Sequence, residues 1–234
     1  MKSVVIVGYA NSIKEVDWKT ESEIWIMNDM YDFVPRFDRI FEIHTAESIR
    51  TRVTRREGLN HYEALKILEN PIYMQSAWPE IPSSVRFPLD EIIKEFYIPA
   101  MGDKIFITCT VSHMLALAIF EGFEEISLLG VDQAIDTEYE VEMPSVLYWL
   151  GIAQGRGIKV HISQHSPLLK GYFVYGYDDK GKQKITEFID GELTRMNGIK
   201  QKAINHQEYY MAEENKCIGA ETAYGHLKKL FTEI

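Results

Sequence analysis

Residues 108–132 read TCTVSHMLALAIFEGFEEISLLGVD, and the fold turns on this stretch. Thr108 to Glu121 has the pattern of a helix: Met114, Leu117, Ala118 and Glu121 follow 3–4 spacing, and Gly122 supplies the stop. Glu125 to Leu129 (EISLL) then reads as a buried strand that ends at Gly130. Further apolar runs lie on either side: Ser3–Val7 (SVVIV, ending at Gly8), Glu23–Met27 (EIWIM), Arg39–Ile43 (RIFEI) and Lys159–Ile162 (KVHI). Runs apolar on both faces, alternating with helical segments, belong to a sheet covered on both sides. The expected class is therefore α/β: a Rossmann-like, mostly parallel sheet with helices on both faces, followed by a C-terminal helical extension.

The intervening segments fill in this outline. His44 to Lys66 holds one or two helices, Pro71–Met74 a short strand, and Pro79, Pro82 and Pro88 mark an irregular connection. Asp90 to Phe96 predicts a short helix with Asp90 near its cap, and Pro144 suits the first turn of a helix ending near Gly155. After Lys170 the character changes. Residues 172–183 read as an extended segment with a turn at Asp179–Gly181. Ile185, Ile189, Leu193, Met196, Ile199 and Ala203, and then Ala220, Ala223, Leu227, Leu230 and Ile234, have helical spacing. Gly191, Gly198 and Gly219 argue against one continuous helix, so a helical pair is expected, packed on the sheet domain or on another subunit. The division is thus 1–170, a Rossmann-like nucleotide-binding domain, and 171–234, an extended segment with C-terminal helices. Those helices are also candidates for self-association, with Tyr209, Tyr210 and Met211 as contact residues.

Composition narrows the function classes. The 234 residues carry 25 Lys and Arg against 35 Asp and Glu, a formal charge of -10, which argues against duplex nucleic acid as a partner. An aromatic content of 12% argues against disorder. Two cysteines, Cys109 and Cys217, are too few for a disulfide scaffold or thiolate cluster and suit reduced thiols in the cytoplasm. The five-residue apolar run after Lys2 is too short for a secretion signal, and no stretch approaches the roughly 20 apolar residues that span a bilayer.

In an open parallel sheet, ligands sit beyond the carboxyl ends of the strands. The first such corner is Gly8-Tyr9-Ala10-Asn11-Ser12, where a helix start would offer amides to phosphate. The second is Asn28-Asp29, with Asn28 able both to donate and to accept. The third is His44, a candidate general base. The fourth is Thr108-Cys109-Thr110, hydroxyls and a thiol at a helix N-terminus. Cys109 has no assignable base partner and is the weaker nucleophile candidate. The fifth is Gly130-Val131-Asp132, followed by Asp136, Glu138, Glu140 and Glu142, carboxylates that could hold Mg²⁺ beside a phosphate or supply a base. Arg50, Arg52, Arg55 and Arg56 suit a solvent-facing helix side better than a phosphate site. His161 and His165 have no zinc-site spacing.

Taken together, these corners resemble the bacterial Rossmann-like sialyltransferases and their relatives, the flagellin-modifying glycosyltransferases and 6-hydroxymethylpterin diphosphokinase-like proteins. GYANSIKEVD is similar to the family's GxGPSLxxxD start. Asn28 falls where the sialyltransferases place an Asn. Residues 108–132 are similar to the TSG…LGYxxIxLxGxD block, with Thr110 in place of Gly, and KVHISQHSPLL to a later strand and turn. YWLGIAQGRGIKV, from Tyr148, is similar to a stretch of uncharacterised tailed-phage proteins. The resemblance covers residues 3 to 170, in outline only from 45 to 100. It implies a nucleotide-sugar site with Gly8, Asn11 and Ser12 near the phosphate and Asn28 near the nucleotide or sugar. It also implies Thr108, Cys109 and Thr110 near phosphate and ribose, and Gly130 and Asp132 around the nucleoside. The family's catalytic His precedes the helix that starts here near Pro144, where this chain has Glu140, Glu142 and Met143. The expected function is a nucleotide- or nucleotide-sugar-binding transferase, with Glu142 or Glu140 as base and His44 as the further candidate. Pyrophosphoryl transfer from ATP with Mg²⁺, and non-catalytic sequestration of a nucleotide-derived ligand, are the alternatives.

Overall fold

A computed structural model describes residues 2–52, 60–102, 105–134, 137–169, 174, 177 and 181–232. The chain divides into two compact units, Met1–Lys170 and Gly171–Ile234.

The first unit is built on one seven-stranded sheet: β1 (Ser3–Val7), β2 (Glu23–Met27), β3 (Arg39–Glu42), β4 (Ile72–Met74), β5 (Ser84–Arg86), β6 (Glu125–Leu129) and β7 (Lys159–Ile162). All pairings are parallel, in the order β5-β4-β3-β2-β1-β6-β7. From β1 the chain steps outward to β5, then returns to the other side of β1 for β6 and β7. The direction of winding reverses between β1 and β6, and such a reversal opens a crevice beyond the carboxyl ends of the strands. The helices are α1 (Ala46–Thr51), α2 (His61–Ile67), α3 (Leu89–Glu95), α4 (Thr110–Phe120) and α5 (Met143–Gly155).

α4 is the central helix. Val111 and Ser112 are buried, and so is every residue from Met114 to Ile119, so this helix lacks a wet face. It lies on β1, β2 and β3 and beneath α3 and α5. Gly122, at φ 74°, ends it as expected. At the amino ends of the strands Trp25 packs 5.1 Å from both Phe41 and Phe123, under the Arg39 guanidinium at 4.7 Å. Arg39 also bonds Glu23 at 2.8 Å and Glu121 at 2.7 Å, which ties β2, β3 and the end of α4 together.

Several expectations are corrected. β5 lies in the proline-rich connection expected to be irregular. Pro82 and Pro88 flank it without entering it, and a three-residue edge strand pairs on one side only. The chain after β1 and β2 forms 3₁₀ turns, Asn11–Glu15 and Met30–Asp32, not helices, so no helix N-terminus exists at Asn11–Ser12 to gather phosphate. α3 is preceded by Pro88, with Asp90 already inside its first turn. A π-helical turn, Glu138–Glu142, leads into α5, and Pro144 sits in the first turn of α5 as expected. Arg55 and Arg56 lie outside the described residues, as does most of 172–180.

In the second unit the expected helical pair is one continuous helix, α6 (Gly181–Thr232), of 52 residues. Each interior glycine costs only about 1 kcal/mol relative to Ala, too little to break a helix of this length. No helix among the described residues is long and apolar enough to cross a membrane.

The reversal point is held by glycines. Gly8 donates to Leu129 O at 2.9 Å, and Ala10 donates to Gly130 O at 2.8 Å. A Cβ on Gly8 would lie 2.3 Å from Gly130 O, and one on Gly130 would lie 2.2 Å from Gly8 O. Gly130 also has φ 73°, in the left-handed region. Gly130→Ala is expected to destabilise the first unit by about 3 kcal/mol, from overpacking plus backbone strain, read as a lower urea midpoint with unchanged slope.

Candidate active site

The carboxyl ends of β1, β2 and β3 and the start of α4 enclose a cavity of about 480 Å³. Its walls are Tyr9, Met27, Asn28, Ile43, His44, residues 107–111, His113, Glu138 and Glu142. A smaller cavity of about 140 Å³ adjoins it, sharing Tyr9, Met27, Val111, Glu138 and Glu142 and adding Gly8, Ala10, Gly130, Asp132 and Gln133.

β3 supplies the principal electrostatic feature. Glu42 is fully buried. Its Oε1 lies 2.5 Å from Nδ1 of His44 and accepts the His44 amide at 3.2 Å, while its Oε2 lies 2.7 Å from Nε2 of His61. Arg52 adds a positive charge 3.8 Å from Oε2. Burial alone would push the Glu42 carboxyl up, but the bonds from His44 and His61 outweigh it and hold the group at about 2. An ionised carboxylate only accepts, so both imidazoles donate to it. The Nδ1 of a neutral His61 is then free to accept from the Tyr31 hydroxyl, 2.7 Å away. The result is a linear chain, Tyr31–His61–Glu42–His44, buried at one end and reaching the cavity at the other. His44, with a side chain 41% exposed, is its terminus. The Glu42 bond raises the His44 pKa above its ordinary value of 6.5 and fixes the tautomer, leaving Nε2 as the titrating nitrogen.

The start of α4 forms another part of the wall. Ser112 Oγ accepts from the amides of Thr108 at 3.3 Å and Cys109 at 3.2 Å. Among the described residues nothing accepts from the amides of Thr110 and Val111, at the first turn of a buried eleven-residue helix. His113 lies one turn in, its Nδ1 3.0 Å from Cys109 O, and burial lowers its pKa. From the π-helical turn, Glu142 is held 3.4 Å from Gln133 Nε2, and burial followed by the nearby Glu138 raises its pKa.

Asn28 sits at φ 55°, a conformation that Asn tolerates better than most residues, and its Oδ1 is buried without a hydrogen-bond partner. Gln133, at φ 48°, has an Oε1 in the same condition. Asn28 lines the larger cavity and Gln133 the smaller, so each cavity has an amide side chain in its wall.

The structure brings together Asn28, His44, Thr108, Cys109, Thr110 and Glu142 around the larger cavity, and Gly8, Gly130 and Asp132 around the smaller. Other expected residues are corrected. Ser12 is buried, and its hydroxyl accepts the Gly130 amide at 2.7 Å; this bond latches two corners together and leaves neither group for a ligand. Asn11 is exposed and Glu140 is exposed, and neither lines a cavity. Asp29 acts through Tyr9, accepting its hydroxyl at 2.5 Å. Thr108 Oγ1 is engaged 2.7 Å from both Val141 O and Ser145 Oγ. Cys109 Sγ has Gln133 Nε2 at 3.4 Å and Ser112 Oγ at 3.5 Å, neither a base. The sequence reading missed Glu42, His61, Tyr31, Tyr9, His113 and Gln133. The E-x-H spacing of Glu42 and His44 was the one local signal, since alternate residues leaving a strand face the same way.

No protein-family model matches the chain. No curated protein matches it. Among solved structures it is similar in chain path to the sialyltransferase CstII from Campylobacter jejuni in complex with the substrate analogue cytidine-5'-monophosphate. That match has 20% identity and a TM-score of 0.48, and it covers 72% of this chain and 82% of that one. A single-residue variant of the α-2,3/8-sialyltransferase CstII matches at 17% identity and a TM-score of 0.47, over 79% of this chain and 100% of that one. CstII with a trisaccharide acceptor and CMP matches at 17% identity and 0.46, over 74% and 89%.

The Glu42 cluster makes stability depend on pH with two signs. Glu42 titrates at about 2 when folded against an ordinary 4.5, so its contribution is present above 4.5 and lost as pH falls towards 2. The raised His44 contributes below 6.5 and loses that contribution as pH rises through its folded value. Glu42→Gln is expected to cost about 3 kcal/mol at pH 6, because it removes the buried partner of two imidazoles. In urea titrations at several pH values, the gap between wild type and variant should close as pH drops below 4.5.

Proposed function

We propose that the cavity binds a nucleotide or nucleotide sugar and that the chain transfers the sugar to an acceptor hydroxyl, with His44 as the general base. One observation carries the reading: a buried carboxylate holds His44 in a single tautomer at the wall of a cavity that the start of a buried helix also lines. The two walls suit the two charges of such a reaction. Oriented by Glu42, His44 takes the proton of the attacking hydroxyl, and the carboxylate stabilises the imidazolium that forms. The amides of Thr110 and Val111 and the positive end of α4 meet the charge that builds on the departing phosphate. Asn28 in the wall of the larger cavity and Gln133 in the wall of the smaller supply amide side chains for polar contacts to ribose, base or sugar.

Glu142 is the second titrating group of the cavity. Its raised pKa fits proton transfer, and it lines both cavities, so it can serve a different atom of the substrate from His44. Glu140 has no role in this reading. Among the described residues no three His, Cys, Asp or Glu side chains are grouped closely enough to hold a metal. A Mg²⁺ ion beside Asp132 would therefore take most of its ligands from phosphate and water. Sequestration without turnover is separated from transfer by the fate of the ligand.

Calorimetric titration with CMP, UDP, ATP and GDP, followed by chromatography of free nucleotide released from CMP- and UDP-sugars, tests the proposal. The sequence resemblance puts the cytidine compounds first in that panel. Binding of at least one nucleotide and release of its free form are expected. His44→Asn should lower release by about 10²–10⁴-fold while nucleotide affinity changes little. Absence of binding to all four at millimolar concentration would remove the proposal, and recovery of intact ligand after long incubation would reduce it to binding alone.

A further inference from the structure

α6 is 52 residues long, about 78 Å at the α-helical rise, and its described side chains are exposed from Thr186 to Lys229 apart from half-buried Glu213. Its apolar residues are not scattered. Ile189, Met196, Ala203, Tyr210, Cys217 and Tyr224 recur at intervals of seven without interruption. Three residues beyond three of these lie Ile199, Ala220 and Leu227. In heptad terms the first series is a and the second is d. The helix glycines obey the same frame: Gly191, Gly198 and Gly219 fall at c and Gly225 at b, all away from the a/d seam.

A seven-residue repeat has a specific geometric meaning. A straight α-helix drifts by about 20° per heptad, so six successive a positions would wander through about 100° of its circumference. They form one stripe only if the helix supercoils to the left, and the partner that imposes this carries the same repeat. A second copy of α6 is that partner. Polar residues line the e side of the seam, Lys200, Gln207, Glu214, Glu221 and Lys228, and part of the g side, Arg195, Lys202 and Lys216. Leu193 at e and Phe188, Tyr209, Ala223 and Leu230 at g are the apolar exceptions. Ile204, Met211 and Ile218, at b, lie off the seam.

We infer that α6 pairs with the α6 of a second copy of this chain as a parallel, in-register, two-stranded coiled coil. Parallel register stacks identical residues, so Tyr210 and Tyr224 make wide layers, while Ala203 and Cys217 make narrow ones. Lys216 then faces Glu221 of the partner subunit, an attractive g–e pair, whereas Arg195 faces Lys200 of the partner subunit at some cost. Glu192, His206 and Glu213 at d are the polar layers; the paired Glu layers cost stability in the aligned register, and a slipped register would set each of these residues against an apolar layer instead. This pairing is independent of the chemistry of the crevice.

Sedimentation equilibrium of the full chain at micromolar concentration, with oxidative crosslinking, tests it. The expected mass is two copies. Mild oxidation should join Cys217 to Cys217 of the partner subunit, giving a covalent dimer on a non-reducing gel that is lost in Cys217→Ser. Met196→Lys with Leu227→Lys should weaken association by about tenfold or more while the urea transition of the first unit is unchanged. A mass of one copy, or of three or more, overturns the inference. So does a two-copy species in which Cys217 does not crosslink, since that excludes the parallel register.

Discussion

The carboxyl edge of the sheet depends on how closely β1 and β6 approach one another as they end. Gly8 and Gly130 meet there backbone to backbone, with no room for a side chain on either. Ser12 closes the same joint by accepting the Gly130 amide. The winding of the chain reverses at this joint, so its tightness sets how far apart the loops on either side can stand. Tyr9 and Ala10 leave it on one side, Asp132 and Gln133 on the other, and the smaller cavity lies between them.

The second dependence is electrostatic. A carboxylate as deeply buried as Glu42 survives only where its lone pairs are satisfied by donors, and here two histidines from different segments supply them. The requirement fixes α2 against the end of β3, because His61 begins that helix. It also fixes His44 at the cavity wall. Stability and the geometry of the cavity wall are therefore set by the same atoms: the bonds that make a charged Glu42 tolerable also orient the imidazole that lines the larger cavity. Arg52 stands close enough to reinforce the site without a direct bond.

Much of the fold was legible in the sequence. β1, β2, β3, β6 and β7 announce themselves as short apolar runs, and α4 as an uninterrupted helical pattern before Gly122. β5 was hidden because three edge residues among prolines carry no periodic signal. The turns after β1 and β2 were read as helices because capping residues mark a 3₁₀ turn and a helix start alike. Asn28 and His44 line the larger cavity because each closely follows the end of a strand, and Thr110 lines it from the start of α4. Ser12 was misread because a hydroxyl near a turn looks the same whether it faces a ligand or a neighbouring amide. His61 and Tyr31 were missed because they act only through Glu42, and nothing in one dimension joins positions 31, 42 and 61. The continuity of α6 was missed because each glycine was weighed alone, without the seven-residue frame that places all of them on the outer side.

The Arg39 brace stands at the other edge of the sheet, with Trp25, Phe41 and Phe123 beneath it and Glu23 and Glu121 beside it. None of these residues lines either cavity. Anchorage and cavities thus stand at opposite poles of one scaffold. Loop residues at the cavity pole can change without loosening the brace that keeps the strands in order.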